Sequence, residues 1–561
     1  MSTIEYKDIG DTDELLKILP EIKNIRSQMT TSRGCYKYSS DNNNAANTQF
    51  PNNQTIKFTI PASKATLLNL AECYFDISGQ MTAYTQANNS VAFDADWMDK
   101  FTTKKLRMKV GENWIWNSFQ KINLYIGGAL VYSVSTPMAL SKFIKNHYQN
   151  DLDIKNDNEV IYGYHPSLAR DPASPAPYPT VGKTALEDLS ELTTFTSDYG
   201  YFTIADNKLD FMYQLRLIDI LPMVETIKPI YGQDVVIEII TESAGYTNIS
   251  FIAPNDLDGA NDVAKQTTRD GMACKMNINQ FKNFNLMAIT YTVNQKMADK
   301  LSKFYSQPVI EIIDDIQYFN NSMQKLVSGN TLQFKCPLNL KFESDFISIH
   351  VPQATGNNSY LNEFISNAND LNLINHCVND LRFINIQNIE IYADGELLYS
   401  RMYGSASIAS ANSSNVNIKL IGRSNGTQKD IYNYTDAYHL YKECRYCCGR
   451  TESGAVSFND FLTTGFCIDV PTSAFTKLST NSNIQVNITF GPGVESNMSG
   501  AMNQYSRSMN IQLNQIRVVQ KSRKALVFKA FNSCEVKPIE FSFMNDVSLI
   551  EDKSDANAVQ A

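Results

Sequence analysis

The sequence has no long apolar run, and this absence narrows the class of protein. Nowhere do uncharged apolar residues continue for the roughly 18 positions that a membrane-spanning helix needs. Residues 1–8 (MSTIEYKD) also lack the apolar region of a signal peptide. We therefore expect a soluble chain that is made in the cytosol, without a signal peptide and without a transmembrane segment.

Charge of one sign is not concentrated anywhere along the chain. The net charge of −9 is spread out, and only 19% of the residues are charged, against 43% that are hydrophobic. This is the composition of a folded protein with a weakly charged surface. Because the chain has no basic stretch, it lacks the concentrated positive charge with which proteins bind a phosphate backbone. We therefore expect no direct sequence-specific binding of nucleic acid.

Histidine is rare, and catalytic signatures are missing. None of the five histidines lies in a Gly-x-Ser-x-Gly or His-Glu-x-x-His context; they are His147, His165, His350, His376 and His439. The sequence 182–184 (GKT) matches the end of a phosphate-binding loop, but Pro177 stands where that loop needs glycine, which favours an ordinary loop lysine. We therefore predict no catalytic residue, no cofactor site and no enzymatic activity.

The ten cysteines have no framework spacing. Cys73, Cys336 and Cys467 lie inside apolar runs, which predicts free, buried thiols. Cys444, Cys447 and Cys448, with His439 nearby, are ligand types that suit zinc. A second ligand pair at finger-like spacing is missing, so buried or loop thiols are the favoured interpretation and we predict no metal.

Strand signals dominate the rest of the chain, and three of them occur twice. Phe and Tyr contribute 29 residues each, and β-branched residues recur in short runs between polar turns. Segments 120–133 (QKINLYIGGALVYS) and 387–400 (QNIEIYADGELLYS) share seven of fourteen residues. Two further pairs occur in the same order: 55–61 with 331–337, and 217–222 plus 234–239 with 467–471 plus 484–488. Such an internal repeat indicates a tandem duplication of a strand-rich unit.

The length of 561 residues also exceeds what one hydrophobic core normally serves. We predict an all-β fold of two tandem jelly-roll β-sandwiches with long loop insertions and a helix linking the sandwiches at 294–305. The predicted divisions are an N-terminal arm at 1–50, the sandwiches at 51–315 and 316–545, and an acidic C-terminal tail at 546–561. The insertions lie between Ser133 and Leu215, with a short helix at 137–147, and at 401–460, with Tyr432, Tyr434, Tyr438, Tyr441 and Tyr446.

The arm carries an apolar stripe after a capping residue, Asp13, which predicts a short helix. The stripe consists of Leu15, Leu16, Ile18, Leu19 and Ile22. Such a helix has too little apolar surface to fold alone, so it needs a partner surface. Two partners fit: a neighbouring assembly unit, or the sandwich of its own chain.

The strand-turn-strand segments 120–133 and 387–400 share the pattern Ile-x-Ile/Leu-Tyr-x-x-Gly-x-Leu-x-Tyr. With the tandem sandwiches and the arm, this pattern resembles the double jelly-roll major capsid proteins of virophages and Polinton-like DNA viruses. The resemblance implies a structural protein of the virion: a homotrimeric, pseudo-hexagonal capsomer that tiles an icosahedral shell. It also implies contacts with neighbouring capsomers and with penton and minor capsid proteins.

A different class of function also fits tandem β-sandwiches, namely a glycan-binding protein or a glycosidase. Two acids from distant strands can come together as a catalytic pair without any sequence signature. A glycan-acting protein of this size is more often secreted and rich in tryptophan, whereas this chain has three Trp. The sequence therefore favours the capsid protein.

Overall fold

The computed structural model describes the strands and helices and the shorter turns between them. The described residues are 4–5, 30–41, 50–85, 107–110, 115, 118–135, 202–205, 208–242, 246–247, 249–252, 274–322, 324–325, 331–336, 344–350, 386–402, 435–447, 455, 461, 467–471, 484–490 and 515–540. The predicted helices at 13–22 and 137–147, the loop at 182–184 and the tail at 546–561 lie outside them.

Strands make up most of the described chain. In the first half they are β1 Ile4–Glu5, β2 Thr30–Ser39, β3 Thr55–Ile60, β4 Thr66–Leu68, β5 Tyr74–Thr85, β6 Arg107–Val110, β7 Phe119–Ile126, β8 Ala129–Ser135, β9 Phe202–Ala205, β10 Lys208–Arg216, β11 Ile230–Tyr231, β12 Val235–Thr241, β13 Tyr246–Thr247, β14 Ile249–Ile252 and β15 Cys274–Val293. In the second half they are β16 Val309–Ser322, β17 Gln324–Lys325, β18 Thr331–Cys336, β19 Ser344–His350, β20 Ile386–Ala393, β21 Glu396–Met402, β22 Ile468–Pro471, β23 Ile484–Phe490, β24 Gln515–Ala530 and β25 Ser533–Glu540.

Helices are few and short. The α-helices are α1 Leu217–Ile220, α2 Gln295–Phe304 and α3 Thr435–Cys447, and 3-10 turns cover Leu70–Glu72 and Pro222–Thr226. No helix of the described chain is long and apolar enough to cross a membrane. Helix α2 matches the helix predicted between the two sandwiches, and it begins where the Asn294 side chain accepts a hydrogen bond from the Met297 amide.

Each half of the chain contains a short-strand sheet of the same order. In the first half the order is β3-β12-β7-β8, and in the second it is β18-β23-β20-β21, with β17 added beside β18. The strands that occupy the same place in the two sheets are those that carry the predicted sequence repeat: β3 and β18, β12 and β23, β7 and β20, and β8 and β21. Both hairpins, β7–β8 and β20–β21, contain an irregularity at the same position, one residue before Tyr132 and one before Tyr399.

The pairing register of the two short-strand sheets also matches residue for residue. Val235 lies opposite Ile60 on one side and Ile126 on the other. In the second copy Ile484 lies opposite Cys336 and Ala393, the positions that the sequence repeat aligns with Ile60 and Ile126. A slip of one residue would turn every side chain to the other face, so the shared register shows that the repeat is structural.

Long strands build the second sheet of each half. In the first half β15 pairs with β2 on one side and with β5 on the other, and β10 follows β5. In the second half β24 pairs with β16 and β19, and β22 follows β19. The order β2-β15-β5-β10 is thus repeated as β16-β24-β19-β22. We call these the long-strand sheets, and together with the short-strand sheets they form the first and second sandwich.

The sheets of the first sandwich pack face to face through phenylalanines. Phe58 of the short-strand sheet contacts Phe75 and Phe284 of the long-strand sheet, with ring centroids 5.4 and 5.5 Å apart. These rings are buried, and they belong to one continuous apolar core that also includes Ile391 and Val486 of the second sandwich. Burying aromatic and β-branched side chains in this way is the main force that stabilises the sandwich.

The predicted N-terminal arm, residues 1–50, contains a strand of the first sandwich. Strand β2 pairs with β15 from Thr30 to Ser39. The first five residues of β2 (TTSRG) contain no apolar side chain, so the alternation of apolar and polar residues that predicts a strand is missing there. The boundary predicted between residues 315 and 316 falls inside β16, whose counterpart in the first copy is β2. We therefore propose that the two structural repeats begin at Thr30 and Val309.

Two further segments differ from expectation. The insertion 401–460 contains the helix α3, on which Tyr438 and Tyr441 pack against Phe461, with ring centroids 5.5 and 5.2 Å apart. The repeated Ile-Asp motif takes two conformations, a helical turn in α1 and a strand in β22. Its aspartates, Asp219 and Asp469, are buried in both copies.

Candidate functional site at the junction of the two sandwiches

The edge strand β8 of the first sandwich lies against the edge strand β16 of the second. The Tyr132 hydroxyl donates a hydrogen bond to the backbone carbonyl of Asp314, and the Asp314 amide donates to Oγ1 of Thr226 at 3.0 Å. Among the described strands, β16 pairs only with β24. The first sandwich therefore satisfies backbone groups that an edge strand would otherwise leave open.

A buried lysine, Lys524, contacts three groups at this junction. Lys524 Nζ, on β24, lies 2.8 Å from Asp315 Oδ1 and donates a hydrogen bond to the backbone carbonyl of Val131 on β8. It also lies 3.8 Å from the ring centroid of Tyr132. Burial lowers the pKa of Lys524, while the nearby Asp315 carboxylate opposes that shift. Burial, together with nearby acids, raises the pKa of Tyr132 well above its ordinary value.

Glu311, also on β16, is a second buried charge site in the junction. Its Oε1 accepts a hydrogen bond from the Lys228 amide at 2.6 Å. Burial raises the pKa of Glu311 to about 7, although the amide and charge of Lys228 act in the opposite direction. A carboxyl group that is desolvated to this degree keeps its proton more readily than one in water. The junction therefore contains an acid that titrates near neutral pH.

The turns at one end of the junction also interlock. The Asn532 amide donates to the Gly232 carbonyl at 2.8 Å, and the Cys534 amide donates to the Gly127 carbonyl at 3.3 Å. Gly127 has a φ of 54°, and a Cβ at this position would lie 2.9 Å from the Cβ of Cys534. At the matching position of the second copy stands Asp394, with a φ of 51°. Both turns have the left-handed backbone of tight hairpins. Only position 127 requires glycine, because Cys534 lies too close to leave room for a side chain.

Aromatic side chains close the junction at α2. The ring of Tyr305, which follows α2, lies 5.6 Å from that of Tyr231 in the first sandwich and 6.1 Å from that of Phe528 in the second. Burial raises the pKa of Tyr305. Hydrogen bonds, among them the one from Lys524 to the Val131 carbonyl, and aromatic contacts thus join the sandwiches.

The sequence-predicted ligand residues lie elsewhere. Cys444 is buried on α3, Cys447 lies one turn later on the same helix, and His439 is exposed on it. Cys448 is outside the described residues, among which no group of three metal ligands occurs. Cys73 and Cys467 are buried free thiols, as predicted, and burial raises the pKa of Cys73 to about 12.

Sequence reasoning missed the junction residues. The signal was the run 309–316 (VIEIIDDI), in which acids interrupt an apolar strand. An acid on the buried face of a strand needs a partner, but that partner, Lys524, lies far away in sequence. Nothing in the sequence pairs the two residues.

Comparison with known proteins decides the fold. No protein-family model matches the sequence, and no curated protein does. A chain in the cryo-EM structure of the Sputnik virophage matches with a TM-score of 0.51 at 12% identity, covering 91% of this chain and 89% of that chain. The protein is a double jelly-roll. The predicted fold class is therefore confirmed.

Two other structures are similar to this double jelly-roll over most of its length. The mavirus major capsid protein matches with a TM-score of 0.48 at 11% identity, covering 92% of each chain. A chain of the PBCV-1 virus capsid matches with a TM-score of 0.43 at 8% identity, covering 90% of this chain and 97% of that chain. The fold assignment depends on the Sputnik match, and the junction described above lies between the two jelly-rolls.

Proposed function

We propose that this double jelly-roll is a major capsid protein that acts by assembly and not by catalysis. The observation that carries the proposal is the structural repeat: two sandwiches of the same strand order and register, joined by a buried junction within one chain. Three such chains supply six similar sandwiches, which can occupy a six-fold position of an icosahedral lattice. The chain then belongs in the virion, as the shell of a DNA virus.

The acid with the best-covered carboxyl group fits this role better than a hydrolytic one. Glu311 is almost completely buried at the junction, and burial is the largest cause of its raised pKa. A glycan has no access to a carboxyl group that is covered in this way. The partners that we propose are the same chain in a homotrimer, neighbouring capsomers, and penton and minor capsid proteins.

Light scattering and negative-stain microscopy of the purified protein test the proposal. We expect a particle of three chains with a pseudo-hexagonal outline. A monomer of 63.1 kDa at all concentrations would contradict it. Turnover of a glycan that depends on a single Asp or Glu would contradict the non-enzymatic role.

A further inference from the structure

Three lysines form an exposed stripe along α2, the helix that links the two sandwiches. Lys296, Lys300 and Lys303 recur at intervals of four and three residues, which places them on one face of the helix. All three are exposed, whereas Met297 and Leu301 are buried on another face. The lysine stripe of α2 therefore points into solvent.

A fourth lysine and an exposed aromatic ring lie beside the start of this helix. The turn that carries Lys64 is held there, because the Val293 amide, two residues before α2, donates to the Ala65 carbonyl at 3.1 Å. Lys64 is itself exposed, and its Nζ lies 4.6 Å from the centroid of the Phe531 ring. Phe531 is 48% exposed. Folding thus brings together residues that are far apart in the sequence, where no basic stretch is visible.

We call Lys64, Lys296, Lys300, Lys303 and Phe531 the basic end surface, and its charge is opposite to that of the whole protein. None of the four lysines forms an ion pair with a described residue. Two acids accompany them: Asp299, which accepts a hydrogen bond from the Gln295 amide group, and Asp234, whose backbone amide donates to Asn532. The net charge is still +2, against −9 for the chain.

Lysines beside an exposed aromatic ring match the surface of an anionic membrane. Lysine ammonium groups are attracted to anionic headgroups, and a phenylalanine ring gains free energy by entering the boundary between headgroups and acyl chains. A nucleic-acid duplex would use the lysines on its phosphates but would leave the Phe531 ring in water. A lipid surface therefore accounts for both features, and a duplex accounts for one.

We propose that the basic end surface binds the anionic headgroups of a membrane, with Phe531 entering the headgroup boundary. The contact is peripheral, since it uses one stripe of a short helix and one turn. Charge supplies most of the attraction, so salt should weaken the contact. The inference goes beyond the proposed function, because a shell of this protein can assemble without lipid.

Vesicle flotation of the full chain tests the proposal. The wild type should float with phosphatidylcholine vesicles that contain about 30% phosphatidylserine and should stay behind with phosphatidylcholine alone. The triple variant Lys296→Gln, Lys300→Gln, Lys303→Gln should lower the partition coefficient about 100-fold, since each lysine near such a surface contributes about fivefold. Phe531→Ser should lower it about tenfold.

The matched control removes the same charge elsewhere in the first sandwich. It is the triple variant Lys57→Gln, Lys121→Gln, Lys282→Gln, on β3, β7 and β15, and it should bind as the wild type does. Circular dichroism verifies that every variant is folded. Light scattering of the same samples reports the oligomer, so the proposed function is checked independently of lipid binding.

Three outcomes would overturn the proposal. The first is a folded wild type that does not float with the anionic vesicles. The second is an equal loss of binding in the control and in the α2 variant, which would show that diffuse charge and not this surface attracts the vesicles. The third is a wild type that shifts duplex DNA in a gel, through the α2 lysines, but does not float with vesicles. The surface would then serve a nucleic acid and not a membrane.

Discussion

Lys524→Met should strongly destabilise the protein because it breaks a buried ion pair. The substitution leaves the Asp315 carboxylate buried beside an apolar side chain and removes the donor to the Val131 carbonyl. Breaking a buried ion pair by removing one partner costs about 3–5 kcal/mol, because an uncompensated charge stays behind. Replacing both partners, as in Asp315→Leu with Lys524→Met, should recover most of that loss.

The same strand provides the matched control. Lys529 on β24 pairs with Glu535, but both side chains are about half exposed, so Lys529→Met should cost far less than Lys524→Met. Urea denaturation at constant pH and protein concentration gives the free energy of unfolding of all four proteins. Equal losses for Lys524→Met and Lys529→Met would refute the view that the buried pair of Lys524 and Asp315 stabilises the second sandwich where it meets the first.

Three further predictions follow from the junction and the arm. Burial raises the pKa of Glu311 from 4.5 in the unfolded chain to about 7 in the folded protein, so between these pH values only the folded protein holds the proton. The free energy of unfolding should therefore fall by about 3 kcal/mol as the pH rises across this window. Glu311→Gln should flatten this pH dependence, as measured by urea titration. Gly127→Ala should lower the melting temperature more than Gly395→Ala, because both residues have positive φ but only Gly127 meets a neighbour at 2.9 Å, and the strain common to both is about 1–2 kcal/mol. Deletion of residues 1–28 keeps β2 and should leave the trimer intact while closed shells fail to form in electron micrographs.

Each of these has an outcome that contradicts it. A wild-type pH profile identical to that of Glu311→Gln would show that Glu311 titrates normally. Equal melting temperatures for the two alanine variants would show that the turns do not interlock. Normal shells from the truncated chain would reject the bridging role of the arm, and an insoluble or monomeric product would show that residues 1–28 stabilise their own sandwich.

The repeat was predictable because strand registers and tight turns are local features that duplication preserves. Segments 120–133 and 387–400 predicted two hairpins, and the structure has them as β7–β8 and β20–β21. The linking helix was predictable for the same reason, since its cap and its apolar spacing lie within ten residues. Helix α3 could have been found, because Tyr438 and Tyr441 are three positions apart and share a helix face.

The junction and β2 could not be predicted from local pattern. Strand β2 (TTSRGCYKYS) has no alternation of apolar and polar residues before Tyr36, and its pairing depends on β15, which lies far along the chain. Lys524 reads in the sequence as an ordinary surface lysine, because lysine is rarely buried unless paired. Its partner, Asp315, lies on the neighbouring strand β16, 209 residues earlier in the chain.

The turn at Gly127 has a consequence for how the two copies can diverge. In the first copy, substitution is restricted by a residue from the opposite end of the chain, because Cys534 occupies the space that a side chain would need. In the second copy the matching turn accepts Asp394 with the same backbone conformation. The duplicated halves are therefore no longer interchangeable. Exchanging the two hairpins would place an aspartate against Cys534, so mutational tolerance at this position should differ between the halves although their backbones are alike.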